Sequence, residues 1–344
     1  MSFTEFDRQL LSLAQRSVPF VRRPFAALAQ SLGSDQATVL ARVTALRGGD
    51  APVIREIAGV FEASALGYDS LLAAGAIAPQ KLDAAGERVA GHPGVGHCYA
   101  REGRLNLWFT LTLGPDSTLG LARTAELLGR QIGAETLHCL PTLRRYKIGV
   151  HVGAHGRMDS SPGLATLAEP PPAQPLSDQQ RSAIRVLQME LPCEPEPFAT
   201  LARAAGLSED RLLRIATELL EARVLRRYGA MLNHRRAGLA ANVLVAWRVS
   251  PSAADAAGKA AANNPAVTHC YLRPTVPDWP YNLYTMIHGR SREECALVID
   301  EIAATTSLTD HAALWTAKEF KKAKTLFFTD AVARWEAEQN NCGL

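Results

Sequence analysis

The feature that most limits what this chain can fold into is an internal repeat. Phe25-Ala26-Ala27-Leu28-Ala29-Gln30-Ser31-Leu32-Gly33 returns as Phe198-Ala199-Thr200-Leu201-Ala202-Arg203-Ala204-Ala205-Gly206, and Pro93-Gly94-Val95-Gly96-His97-Cys98-Tyr99 returns as Pro265-Ala266-Val267-Thr268-His269-Cys270-Tyr271. Asn106-Leu107-Trp108 matches Asn282-Leu283-Tyr284, and Leu140 to Lys147 matches Leu314 to Lys321. These matches keep one order and a near-constant spacing, so the chain is two copies of one unit. Prolines 162, 170, 171, 172 and 175 disfavour helix and strand between the copies and make residues 158–176 a stiff linker.

Each copy opens on helices. In the second, Ser177 to Leu191 and Phe198 to Ala205 carry helical spacing, and Gly206 interrupts it. Ser208 is placed as an N-cap, with Glu209 and Asp210 in the first turn of a helix running to about Ala222. The first copy repeats this helix-turn-helix layout from Asp7 to Leu46, with the break at Gly33 and Ser34 as cap. Strands and helices then alternate as β-α-β-β-α-β. In the second copy they are a helix over 253–262, strands over 267–272 and 282–288, a helix over 292–304 and a last strand near 312–320. The expected fold is therefore α+β: two repeats, each a helix-turn-helix domain (1–52 and 177–224) followed by a ferredoxin-like βαββαβ domain (53–157 and 225–344). Pro274 to Pro280 lengthens a hairpin in the second copy alone, and Asp278-Trp279 there either lines a ligand site or is a loop tip, the second being the favoured reading.

Composition excludes several classes. No apolar run approaches the ~18–20 residues that span a bilayer, and the first residues lack the basic start of a signal peptide, so a cytoplasmic protein with no membrane partner is expected. The six cysteines are scattered without a Cys-x-x-Cys pair, which supports neither a metal site nor a disulfide framework. A net charge of +3 does not by itself imply nucleic acid, but arginines come in doublets at 22–23, 144–145, 226–227 and 235–236. Such local patches suit anionic ligands.

The densest cluster of polar chemistry is Leu225 to Gly238. If the run is extended, alternation puts Arg226, Tyr228, Leu232 and His234 on one face and Arg227, Met231 and Asn233 on the other. A titratable imidazole then shares a face with a guanidinium and a phenol. In the first copy Glu56, Ile57 and Ala63 stand opposite Arg227, Tyr228 and His234. The expectation is one active site, in the second copy, with the first as a supporting wall.

A helix-turn-helix followed by this sheet domain resembles the Lrp/AsnC regulators, whose sheet domains pair and hold a small ligand near the interface. Within that group, Arg226-Arg227-Tyr228-Gly229-Ala230, His234-Arg235-Arg236-Ala237-Gly238, His269-Cys270-Tyr271, and Leu140-Pro141-Thr142 with Arg144, Tyr146 and Lys147 resemble the siroheme decarboxylases. Those enzymes serve the routes to heme and to the specialised heme of dissimilatory nitrite reductases, as pairs of unlike subunits that are sometimes fused. The resemblance implies a carboxy-lyase that converts two acetate arms of siroheme into methyl groups without an oxidant. It implies no resident cofactor, since the substrate carries its own iron, and two halves that pair with each other, with a further homodimer left open.

Siroheme is a flat apolar macrocycle rimmed by carboxylates, and arginine forks meet carboxylates bidentately. On this reading Arg226, Arg227, Tyr228, Arg235, Lys318 and Lys321 bind substrate, with solvated strand-end lysines as the competing reading for the last two. His234 supplies the proton, as an imidazole with an unperturbed pKa near 6.5 can. His269 shares a face with Tyr271 and Arg273, as His97 does with Tyr99 and Arg101, and catalysis, iron ligation and a shared fold role all stay open for it. His151 and His155 follow the last strand of the first copy, where a tail can fold over a pocket. The rival function is a ligand-sensing transcriptional regulator. It fits poorly with the second reading helix, where Arg211 and Arg214 stand against Glu209, Asp210, Glu218 and Glu221.

Overall fold

In the computed structural model the described residues are 3–50, 52–148, 170–233 and 241–341. The first copy runs α1 (Glu5–Arg16), α2 (Pro24–Ser31), α3 (Gln36–Arg47), β1 (Ile54–Phe61), β2 (Asp69–Ala76), α4 (Leu82–Ala90), β3 (Val95–Arg101), β4 (Leu107–Leu113), α5 (Gly120–Gln131), β5 (Thr136–Pro141) and β6 (Arg144–Ile148). The second runs α6 (Asp178–Leu187), α7 (Pro197–Ala205), α8 (Glu209–Glu221), β7 (Leu225–Leu232), β8 (Ala241–Trp247), α9 (Ala254–Asn263), β9 (Val267–Leu272), β10 (Leu283–Gly289), α10 (Arg292–Thr306), β11 (His311–Lys322) and α11 (Ala331–Asn341).

The helix ends follow local chemistry. Ser208 caps α8 by accepting from the Arg211 amide, and Gly206 turns the chain with φ 68°. In the first copy the cap of α3 is Asp35, which accepts from the Thr38 amide at 2.9 Å; Ser34 lies one residue too early, its own amide bonded to the Ala29 carbonyl.

The ferredoxin-like strands join in one nine-stranded sheet of order β5-β2-β4-β3-β11-β8-β10-β9-β6, in which β5-β2-β4-β3 and β11-β8-β10-β9 are the two halves. The copies exchange their last strands. β11 pairs with β8 through its first half and with β3 of the first copy through its second, while β6 leaves the first copy to pair with β9 of the second. Aromatic rings anchor both exchanges. Phe320 packs on Gly86 of α4 and Tyr146 on Gly258 of α9, each so closely that a Cβ would overlap the ring. The helix-free faces of the two halves meet in a core of Trp108, Leu140, Trp279, Tyr284 and Leu314. Trp279 is therefore no loop tip. It is 9% exposed, and its indole donates to the Tyr284 hydroxyl at 2.8 Å, while Asp278 beside it is exposed.

β1 and β7, which the boundaries at 53 and 225 group with the sheet domains, pair with each other beside the helices as a separate antiparallel ribbon. Around them the two helix-turn-helix units share one core, with Leu10, Phe25 and Val43 from one and Ile184, Phe198 and Ile215 from the other. The N-termini of both reading helices are turned to the opposite copy. Arg22 holds Asp210 at 2.9 Å and Glu209 at 3.7 Å on α8, and Gln36 of α3 donates to the Pro195 carbonyl at 3.0 Å.

Candidate functional site

The strand exchange gathers two repeat-related clusters of side chains, each drawn from both copies, the first and second clefts. The first is centred on β3. His97 and Tyr99 stack with ring centroids 6.3 Å apart, and the Arg101 guanidinium lies over Tyr99 at 5.1 Å. From the second copy β11 lays Glu319 opposite Tyr99 and Lys322 opposite His97. The second cleft is centred on β9, with His269 and Tyr271 6.2 Å apart and Arg273 over Tyr271 at 5.1 Å. Here β6 of the first copy supplies Arg145 opposite Tyr271 and Ile148 opposite His269. A site confined to the second copy, with the first as a wall, does not describe this geometry, because last-strand exchange makes each copy contribute to both clefts.

The ribbon supplies one arginine to each cleft through a β-bulge. In the β1–β7 register, Val60 faces Arg227 and Phe61 faces Leu225, so Arg226 is an extra residue; at the other end Ile54 faces Leu232 and Glu56 faces Met231, so Arg55 is extra. A bulge re-aims a side chain and restarts the alternation. Arg226 therefore leaves the face of Tyr228, points toward β6 and donates to the Ile148 carbonyl at 3.2 Å, beside His269 and near Tyr271. Arg55 is the twin, bearing with Lys322 and Arg101 on the charge of His97.

The other expected site residues divide. Of the expected set, Arg226 and His269 are brought together. Tyr228 is buried in the helical core between Phe20 and Phe198, 5.2 Å and 5.6 Å away, and burial pushes its phenol pKa well up. It offers no wall to a ligand, because the bulge separates it from Arg226. Arg227 turns to α1 and donates to the Gln15 carbonyl at 2.8 Å, with burial and the cations Arg226 and Arg55 lowering its pKa to about 10. Lys318 pairs with Asp83 at 2.9 Å, and Lys321 donates to the Ala90 and His92 carbonyls at the end of α4. Both lysines hold the exchanged strand to α4 rather than facing the cleft, because β11 is bulged at Ala317 and Phe320. His234, Arg235, His151 and His155 lie outside the described residues.

Electrostatics mark the first cleft. His97 touches solvent, yet the surrounding protein and then Lys322, Arg55 and Arg101 press its pKa down to about 4. Arg101 is only 5% exposed. Its Nη1 donates to the Leu314 carbonyl and the Thr316 hydroxyl, both at 3.0 Å, its Nε has no partner, and no carboxylate among the described residues is paired with it. Burial lowers its pKa to about 10. Arg273 repeats this in the second cleft, 8% exposed, donating to the Leu140 carbonyl at 2.5 Å with Nε unpartnered. A buried guanidinium without a counter-charge is costly unless an anion completes it. The sequence already signalled these arginines through the repeated His-x-Tyr-x-Arg spacing. Nothing in the sequence singled out Lys322, or Arg55, which lies in the copy expected to serve only as a wall.

Comparison with known proteins agrees with this doubled architecture. An AsnC-like ligand binding domain matches residues 65–147 and 236–321, and a siroheme decarboxylase NirDL-like HTH domain matches 7–55 and 180–226. The chain is 32% identical to a siroheme decarboxylase of Hydrogenobacter thermophilus over 97% of its length and 98% of that protein's. It is 41% identical over 44% of its length to a siroheme decarboxylase beta subunit of Desulfovibrio desulfuricans, covering 97% of that subunit. Its fold superposes with a TM-score of 0.77 and 28% identity on a crystal structure of the siroheme decarboxylase NirDL in complex with an iron-uroporphyrin III analogue, over 99% of this chain and 100% of that one.

Proposed function

Since the chain belongs to the siroheme decarboxylase family, as a fusion of two subunit-like copies, we propose that it removes carbon dioxide from two acetate arms of siroheme in the first cleft. The observation that carries this reading is the gathering of Arg55, Arg101 and Lys322 about Tyr99 and the exposed His97, with Arg101 buried and paired with no carboxylate among the described residues. A macrocycle edged with carboxylates supplies the missing anions, and the Tyr99 ring gives its apolar body a flat surface.

Each step breaks the bond between an acetate methylene and its carboxylate. Carbon dioxide leaves, the electron pair stays on the methylene and is spread into the macrocycle, and one proton converts it to methyl. No electron is gained or lost. A cation clamped on the reacting carboxylate opposes its departure as a neutral gas, so the arginines do most by holding the neighbouring carboxylates and orienting the arm that reacts. The proton donor is a histidine. The surrounding protein and then the cations Lys322, Arg55 and Arg101 hold the His97 pKa below the ordinary imidazole value, so we read it as a neutral lining group rather than the acid. We assign the acid to His234. This is the imidazole that the sequence places in the same run as the Arg226-Arg227 doublet.

The regulator reading loses support at the reading helices. Recognition helices present their N-terminal residues to base edges, and here those residues are engaged by Arg22 and by the Pro195 carbonyl. No functional DNA binding is proposed. Among the described residues no helix is long and apolar enough to cross a membrane. The deciding experiment is anaerobic incubation of the purified chain with siroheme, followed by mass analysis of the tetrapyrrole. Two successive losses of carbon dioxide are expected; unchanged siroheme refutes the proposal.

A further inference from the structure

The two clefts differ in a consistent direction. His97, Arg55, Glu319 and Lys322 of the first are exposed, while their repeat partners His269, Arg226, Arg145 and Ile148 in the second are half-buried. The residue at the centre of the closed cleft is Glu62. It is 8% exposed, accepts from Arg145 Nη1 at 2.9 and 3.1 Å and from the Ser64 hydroxyl at 3.1 Å, and acts on the charges of Arg226 and Tyr271. Its repeat partner is Asn233. The backbones match, since the Glu62 amide donates to the Val224 carbonyl as the Asn233 amide donates to the Val53 carbonyl. The side chain at that position is thus an anion in the second cleft and a neutral amide in the first.

We propose that Glu62 limits the chain to one tetrapyrrole site: its carboxylate occupies, in the second cleft, the place that a carboxylate of the bound macrocycle takes in the first. The second cleft keeps the cations of a binding site, Arg145, Arg226 and the uncompensated Arg273, but fills it from within. A ligand carboxylate entering there meets a like charge and must displace an ion pair in which Arg145 Nη1 reaches both Glu62 carboxylate oxygens. The carboxylate in the first cleft, Glu319, is exposed and sits on the strand position that Arg145 holds in the second. This inference rests on the reading of the first cleft as the tetrapyrrole site.

The test is the stoichiometry of iron-uroporphyrin III binding to the full chain, by absorbance titration and by the rise in unfolding temperature. Wild type is expected to bind one equivalent. Glu62→Gln, nearly the same in shape but uncharged, is expected to bind two and to be the more stabilised by ligand, since Arg145 has lost its partner. Glu62→Gln combined with Arg226→Ala should return to one. The reciprocal change, Asn233→Glu, places a carboxylate in the first cleft and should weaken wild-type binding at least tenfold; it decides the matter even where Glu62→Gln folds poorly. One equivalent for wild type and for folded Glu62→Gln, or unchanged affinity in Asn233→Glu, overturns the role of Glu62 alone. No binding by wild type overturns the first-cleft reading and this inference together.

Discussion

Arg55→Ala and Arg226→Ala are twin perturbations that decide which cleft reacts. The Arg55 side chain is 41% exposed and holds Glu56 at 3.0 Å and the Met231 sulfur at 3.5 Å, while Glu56 is also held by Lys324. Removing so exposed a pair costs roughly 0–1 kcal/mol of stability. If Arg55 donates to a substrate carboxylate, the lost charged hydrogen bond is worth about 1.5–3 kcal/mol, a fall of roughly 10- to 150-fold in kcat/KM at 1.36 kcal/mol per decade. Arg226 is more enclosed and donates to the Ile148 carbonyl, so Arg226→Ala should lower stability by about 1 kcal/mol and leave turnover within about threefold. Anaerobic single-turnover assays, read by mass for each loss of carbon dioxide, give the rates. Urea unfolding gives the stabilities. A tenfold or greater loss in Arg226→Ala, with Arg55→Ala staying within threefold, would refute the first-cleft assignment and make the second cleft the reacting one.

His234→Ala should still bind siroheme but decarboxylate it at least ~100-fold more slowly, the lower end of what a positioned acid contributes; loss of binding in an absorbance titration makes His234 an anchor instead. His92 is 1% exposed, edge-on to Trp335 of α11, and burial, then Lys321, press its pKa from 6.5 to about 4. The neutral form is the folded form, so this stability is present above pH 6.5 and is lost as pH falls toward 4, about 3 kcal/mol in all; urea unfolding at pH 7 and pH 4.5 should show wild type losing more than His92→Asn, and parallel losses refute it. Gly258→Ala should cost about 1–3 kcal/mol or more by driving a Cβ into the Tyr146 ring; an unchanged melting temperature would mean that β6 is not anchored there.

The doubled α+β architecture was legible because periodicity and the repeat are local properties of the chain. The capping of α8 by Ser208 and the strand Val267–Leu272 follow from neighbours in sequence. What escaped the sequence depends on partners far along the chain. Alternation put Arg226 and Tyr228 on one face, and it failed because a bulge is defined by the register against β1, which no single strand reveals. Lys318 and Lys321 had the right charge for a carboxylate site, but the bulges in β11 turn them to Asp83 and to the end of α4. Trp279 looked like a loop residue because its partner Trp108 sits in the other copy.

Strand exchange also explains why a one-site chain needs two unlike copies. Each cleft takes its central strand from one copy and its flanking strand from the other, so a copy alone has neither cleft complete. Two identical copies would carry the same residue at the Glu62 and Asn233 positions and the same residue at the Arg145 and Glu319 positions. Both clefts would then be open or both closed. Divergence at those two positions is the smallest change that leaves one cleft charged for an external anion and closes the other on itself. Once the copies differ in this way, an exchange between two first copies places the Glu319 position under Arg145 in both clefts, with Glu62 on hand to neutralise each. Two second copies would carry Asn233 and the exposed Glu319 in both clefts and close neither; only the pairing of first with second copy gives one open and one closed cleft, and covalent fusion makes that pairing the rule within each chain.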